Sequence, residues 1–305
     1  MNELFGLDPE AVADVSELGL VVHSFGPRMG RYAAQFPDDW EQRVLTSISG
    51  TGQLYQQRVK TRLRRLKEGH ALIRRGGMSL GNGEDWRSGA FKYLKDRSGP
   101  LDGIISRRLD GDGDGVFELD ELSQKGAADE IFEARPDEFS RVSKYLLNIS
   151  KEVHFIDPFL DLSKGKYRRV IDAMLAEFFK GKCLKVVFWS DVGVHERSTG
   201  EGVNEERLRQ QLRDMPRQAA LPPGVSVGFN LIDKKSSGCE MHARYLLTNA
   251  GGIRFDQGFQ ELKRDGSWVS TEAAPIAGEL LGQLQDRYVS GLGGCEVTVQ
   301  VEVEA

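Results

Sequence analysis

The sequence predicts an α+β protein of two domains, a mainly helical domain over residues 1–150 followed by an α/β domain over residues 151–305. Three observations predict it. The 305 residues are enough for two hydrophobic cores. Apolar residues recur at helical spacing as far as about Ser150. Beyond Lys151 short apolar runs exchange with amphipathic stretches, the pattern of strands alternating with helices.

Asp8-Pro9-Glu10 reads as the start of a helix carrying Val12, Val15, Leu18 and Val22, and Asp38 or Asp39 caps another through Trp40, Val44 and Ile48. After Gly52 a long helix places Val59, Leu63, Leu66, His70 and Ile73 on one stripe. Around the stripe lie Arg58, Lys60, Arg62, Arg64, Arg65 and Lys67, with Arg74 and Arg75 beyond, against a single acid, Glu68. Such a helix either packs into a core with a solvated charged face or offers that face to a phosphate-rich or acidic partner, nucleic acid included. Gly76-Gly77 to Asn82-Gly83 is a surface connection, since it lacks the Gly-Lys-Ser/Thr ending of a phosphate loop. Trp86 to Tyr93 resumes helical spacing. Pro100 starts a further helix with Leu101, Ile104, Ile105 and Leu109 on one face. Pro136 to about Ile149 closes the first domain, turning Phe139, Val142, Leu146 and Leu147 inward.

In the second half Val153 to Asp157 predicts a strand, Tyr167 to Phe179 a helix, Leu184 to Ser190 a strand and Asn204 to Met215 a helix. Val225 to Ile232, Arg244 to Thr248 and Gly252 to Phe255 are further strands. Ala273 to Tyr288 reads as a helix and Glu296 to Val303 as an edge strand. The alternation predicts a mainly parallel sheet covered on both faces.

Composition bounds the function. With 29% charged and 39% hydrophobic residues the chain is an ordinary globular one. No apolar run approaches the ~20 residues that span a bilayer, and Met1 to Glu10 has neither basic leader nor apolar core, so a cytoplasmic location is expected. A net charge of -5 gives no global pull on nucleic acid. Cys183, Cys239 and Cys295 are far apart and odd in number, which argues against a disulfide framework or a zinc knuckle.

Asp110-Gly111-Asp112-Gly113-Asp114-Gly115-Val116-Phe117-Glu118-Leu119-Asp120-Glu121 resembles the calcium loop of an EF-hand. Asp110, Asp112 and Asp114 stand at loop positions one, three and five, the carbonyl of Val116 at seven and Glu121 at twelve, with Gly115 at the sharp turn. The resemblance implies bound Ca2+. No second loop of this type occurs, and Lys125 and Gly126 weaken the outgoing helix, so the hand is expected to act as a local staple.

Three predicted strands end in carboxylates, Asp157, Asp191 and Asp233. Hard oxygens beyond the carboxyl ends of strands suit Mg2+, although Asp is also common in turns and caps. The segment Met241-His242-Ala243-Arg244-Tyr245-Leu246-Leu247-Thr248-Asn249 resembles the His-x-Lys hairpin of the phospholipase D superfamily. That resemblance implies a phosphohistidine nucleophile at His242, with Arg244 in the place of the phosphate-binding lysine and Asn249 in the place of an aspartate. An arginine still clamps phosphate, but Asn249 brings no negative charge to favour an imidazolium. The hairpin is similar to the variant of the fold at the carboxyl end of MIT-domain proteins, which is associated with binding phospholipid head groups.

The sequence therefore predicts a calcium-binding protein whose second half binds a phosphate-bearing ligand or partner. By resemblance such domains in bacteria occur in anti-phage conflict systems. The alternatives are a phosphodiesterase or nuclease, acting as a homodimer through His242 and Arg244 or through metal on the strand-end aspartates, and a structural subunit that docks protein partners.

Overall fold

The computed structural model describes residues 3–74, 77–95, 100–107, 115–127, 129–199, 202–219, 222–233, 241, 243–276, 278–290 and 295–304. The fold is α+β, and the chain divides into two compact units, Met1–Ala128 and Asp129–Ala305. The division falls about twenty residues before the expected one. The reason lies in pairing and packing: strand β6 (Glu130–Glu133) and helix α6 (Pro136–Ile149) are held by elements of the second unit.

The first unit is an open α/β sheet where mainly helical structure was expected. Its elements are β1 (Glu3–Leu7), α1 (Val15–Ser24), β2 (Arg31–Ala34), α2 (Trp40–Ser47), α3 (Gln53–Glu68), β3 (Leu72–Ile73), α4 (Trp86–Lys95), β4 (Gly103–Ile105), β5 (Val116–Phe117) and α5 (Leu119–Ser123). The strands are all parallel in the order β3-β2-β1-β4-β5. Strands this short give little periodicity of their own, whereas the helices that cover them write long stripes. Those stripes form the core: Leu18 and Val21 of α1, Trp40 and Val44 of α2, and Val59, Leu63 and Leu66 of α3 close over Phe5, Leu7 and Ile105.

The helix expected from Pro100 does not form. Ile104 and Ile105 instead pair with Gly6 and Leu7 on one side and with Val116 and Phe117 on the other. Gly103 permits this, because a side chain there would meet the rings of Phe5 and Phe117. The buried Arg31 ties the sheet to the last turn of α5 and the residues after it, donating from Nη1 to the carbonyls of Leu122 (3.1 Å) and Lys125 (2.8 Å) and from Nη2 to that of Gly126 (2.9 Å).

The second unit continues with β7 (Glu152–Ile156), α7 (Gly165–Phe178), β8 (Lys185–Asp191), α8 (Val192–Thr199), α9 (Glu205–Ala219), β9 (Ser226–Ile232), β10 (Arg244–Thr248), β11 (Gly252–Phe255), β12 (Lys263–Arg264), β13 (Ser267–Trp268), β14 (Ser270–Pro275), α10 (Gly278–Tyr288) and β15 (Val299–Glu304). Eight strands form one sheet in the order β15-β9-β8-β7-β10-β11-β14-β6, and β12 and β13 make a separate hairpin. The sheet is mixed where a mainly parallel one was expected. Only β7, β8 and β9 run parallel, and the other neighbours are antiparallel. The expected helix from Ala273 begins after a strand, because Ser270–Pro275 pairs with β11 and β6.

Helix α6 packs along α7, and the phenylalanines 155, 178, 188, 229, 255 and 259 are all buried. Cys295 is disulfide-bonded, contrary to expectation, because separation along the chain does not limit proximity in the fold; Cys183 is a free thiol, and Cys239 lies outside the described residues. No helix among the described residues is long and apolar enough to cross a membrane.

Candidate functional site

Strand β7 delivers Asp157 to the carboxyl end of the parallel strands, where α/β sheets bind ligands. Asp157 is 1% exposed. Its Oδ1 accepts the amide N–H of Phe159 at 2.9 Å, and its Oδ2 accepts that of Phe259 at 3.1 Å. Gly258 makes the second bond attainable: its φ is +79°, and a side chain there would collide with Asp157 Oδ2. The carboxylate thus latches the turn after β7 to the turn after β11.

Strand β10 runs antiparallel to β7, pairing Tyr245 with Ile156, so its first residue, Arg244, arrives beside Asp157. The guanidinium lies over the Phe159 ring, 5.4 Å from its centroid, and Nη1 donates to the carbonyl of Asp256 at 3.1 Å. Arg244 Nε is buried without a hydrogen-bond partner. Tyr167 sits close by; burial raises its hydroxyl pKa most, the charge of Asp157 adds to this, and Arg244 opposes it.

These residues border a crevice of about 490 Å³. Lys164 and Lys166 enter it from the start of α7, Arg197 from α8, and Gln257 and Gln260 from the turn after β11. Four cations therefore line a space whose lining carboxylate, Asp157, is already bonded to two amides. Lys164 also reaches Asp161 Oδ2 at 3.2 Å, and Lys166 Nζ lies 5.2 Å from the centre of the Tyr167 ring. Gln260 Oε1 is buried without a partner.

The three strand-end aspartates do not form a metal cluster. No group of three or more His, Cys, Asp or Glu side chains suited to a metal occurs among the described residues. The register explains why. Ile156 aligns with Trp189 and Ser190 with Leu231, so Asp157 falls level with Ser190, and Asp191 follows on the opposite face of the pleat. Asp191 Oδ1 accepts the amide of Gly193 at 2.8 Å at the start of α8, and the Asp233 amide donates to Thr298 Oγ1 at 3.2 Å.

The other site residues fall in different places. Arg244 and Asn249 bracket β10, roughly 16 Å apart at the rise of a strand. Asn249 Oδ1 accepts the amides of Lys151 (2.8 Å) and Glu152 (3.2 Å), a bracing role at the far end of β7. His242 lies outside the described residues. His195 is buried edge-on against Phe229 and does not line the crevice. His154 is also buried: Trp189 Nε1 donates to its Nδ1 at 3.0 Å, which leaves Nε2 to donate to Glu152 at 2.9 Å.

Asp110, Asp112 and Asp114 of the acidic loop lie outside the described residues. Gly115 adopts φ +96°, as a sharp turn requires, and Val116 pairs with Ile104. Glu121 Oε2 accepts the amide of Glu118 at 3.1 Å, so it caps α5. On α3, Arg62 packs its guanidinium against Gly19, Arg64 lies 3.6 Å from Glu68 and Lys67 lies 2.5 Å from Glu41. Arg58, Lys60 and Arg65 are exposed.

No family model and no curated protein matches the chain. Among solved structures it is similar to TrmBL2, described as an archaeal chromatin protein that shows a novel mode of DNA binding. The likeness covers 86% of this chain and 71% of that one at 8% identity, with a TM-score of 0.29. At that score it carries no argument about ligand or partner.

Reading the sequence for sites identified Arg244 and Asp157 but missed Lys164, Lys166 and Arg197. The signal available for them was position: each follows closely on a strand that ends at the crevice.

Proposed function

We propose that the second unit binds a phosphate-bearing ligand in the crevice between the start of α7, α8 and Arg244, and that it does so without cleaving it. The observation that carries this is the convergence of Lys164, Lys166, Arg197 and Arg244 on a space whose lining carboxylate is bonded to two backbone amides. An anion there meets four cationic side chains, one of which, Lys164, is shared with Asp161. Arg244 brings a planar fork suited to two phosphate oxygens, and its buried Nε has a donor to spare.

Binding is favoured over catalysis because Asn249 stands at the far end of β10 from Arg244, so a carboxylate partner for an imidazole is not supplied from that position. We further propose that the Asp110–Glu121 loop holds Ca2+ as a staple within the first unit. The positive φ of Gly115 at the turn position supports it.

The test is calorimetric titration of the full chain with pyrophosphate, glycerol 3-phosphate and a dinucleotide. Losing hydrogen bonds to a charged partner costs about 1.5–3 kcal/mol, so Arg244→Ala is expected to weaken the tightest of these by about 10- to 100-fold, with Arg244→Lys in between. Equal affinity of wild type and Arg244→Ala for every probe removes the proposal. Cleavage of a labelled phosphodiester that disappears in His242→Ala selects the enzymatic alternative.

A further inference from the structure

The first unit contains a crevice of about 750 Å³, larger than the one beside Arg244 and with a different balance of charge. It opens beyond the carboxyl ends of β1 and β4. The strand order places β1 between β2 and β4, and the chain leaves β1 toward β2 on one side and returns to β4 on the other. This is the switch point at which open parallel sheets form a binding cleft.

The floor is a braced chain of polar groups. Ser106, 3% exposed, donates from Oγ to Asp8 Oδ2 at 2.7 Å and accepts from Arg87 Nη1 at 2.9 Å. Asp8 Oδ1 accepts the amide of Glu10 at 3.0 Å. On the wall, Arg43 Nε donates to Asp39 Oδ1 at 3.0 Å. Asp8, Glu10, Asp39 and Asp85 line the space with Arg43, Arg87 and Arg107, four carboxylates against three guanidinium groups.

That balance sets the class of ligand. A polyanion gains nothing from a crevice whose acids outnumber its bases, in contrast to the cationic crevice of the second unit. The Asp39–Arg43 pair is joined by a single Nε–Oδ1 contact, and a carboxylate that accepts beside a guanidinium that donates suits two adjacent hydroxyls, each of which both donates and accepts. Pro9, Ala11 and Trp86 add apolar surface for the C–H face of a ring.

We propose that this crevice binds a ligand bearing a vicinal diol, a sugar ring presented as a free saccharide or as the ribose of a nucleoside. The Asp8 carboxylate and the Asp39–Arg43 pair supply the hydroxyl partners, and Ser106, itself bonded to Arg87, holds Asp8 in position.

Calorimetric titration of the full chain with glucose, ribose, adenosine and 2′,3′-dideoxyadenosine tests it. A saccharide response without adenosine identifies a free sugar as the source, and an adenosine response identifies a nucleoside. In either case Arg43→Gln, at an exposed position, weakens the binding about tenfold, and Ser106→Ala weakens it further. The proposal is overturned if no diol probe binds at about 10 mM, if dideoxyadenosine binds as well as adenosine in the absence of any saccharide response, or if Arg43→Gln leaves the affinity unchanged.

Discussion

Replacing Asp157 by Asn separates a structural latch from a metal ligand. The carboxylate uses one oxygen for the Phe159 amide and the other for the Phe259 amide. An asparagine has one acceptor oxygen, so in either amide orientation one N–H faces an NH2 group and loses its bond. The lost charge-assisted bond is worth about 1.5–3 kcal/mol, and the second bond weakens as its acceptor becomes neutral. Phe259 is fully buried, so water cannot readily satisfy an orphaned amide there. Asp157→Asn is therefore expected to destabilise the second unit by about 2–4 kcal/mol. Native-state hydrogen exchange of the buried amides of β7 and β8 measures that loss without requiring the two units to unfold together. The latch reasoning fails if the change is below about 0.5 kcal/mol, or if the loss appears only when magnesium is present.

Three further predictions use other parts of the chain. Burial holds the imidazoles of His154 and His195 below their ordinary pKa, with Glu152 opposing the shift at His154. The unfolded chain then binds more protons, so the second unit has its full stability above about pH 6.5, loses it as the pH falls below that value and stops losing it below the folded pKa values. Urea midpoints at pH 7.5 and 5.5 check the sign, and a midpoint that rises on acidification contradicts it. If α3 contacts nucleic acid through Arg58, Lys60 and Arg65, reversing one charge is expected to weaken retention on every sequence alike and to lower the salt slope by about 1; unchanged retention removes α3 from the interface. Calcium is expected to raise the melting temperature of the first unit, a response that Asp110→Ala and Glu121→Ala abolish, and a rise that survives both substitutions refutes the loop as its site.

How far the fold was legible depended on strand length and burial. In the second unit β7 to β11 appear as short runs rich in apolar residues, such as Val186 to Trp189, and α6 and α7 carry broad stripes, so these were read nearly to their ends, whereas β6 and β14 were not read as strands. The parallel sheet of the first unit was not legible. Leu72–Ile73 and Val116–Phe117 are two residues each, and Leu101, Ile104 and Ile105 satisfy helical spacing while lying in and beside a strand. Only the pairing partners on both sides decide that segment, and partners distant in sequence leave no local trace. The same limit applies to the site. Arg244 and Asp157 were found because a hairpin and a strand end mark them, whereas Lys164, Lys166 and Arg197 became site residues only once β7 and β8 were placed side by side.

The mixed sheet explains why the crevice is cationic. An antiparallel β10 brings its first residue to the carboxyl end of β7, which a parallel strand would place at the opposite end. Arg244 therefore joins cations carried by α7 and α8. Asp157 keeps its charge but turns each oxygen to a backbone amide, a position that Gly258 keeps open, so with Asp161 beside Lys164 the cations still outnumber the acids. Like charges gathered beside a low-dielectric sheet repel one another, and water screens them only in part. An anion entering the crevice relieves that repulsion as well as making its own hydrogen bonds. The architecture that stabilises the turn is thus the one that leaves the positive charge available to a ligand.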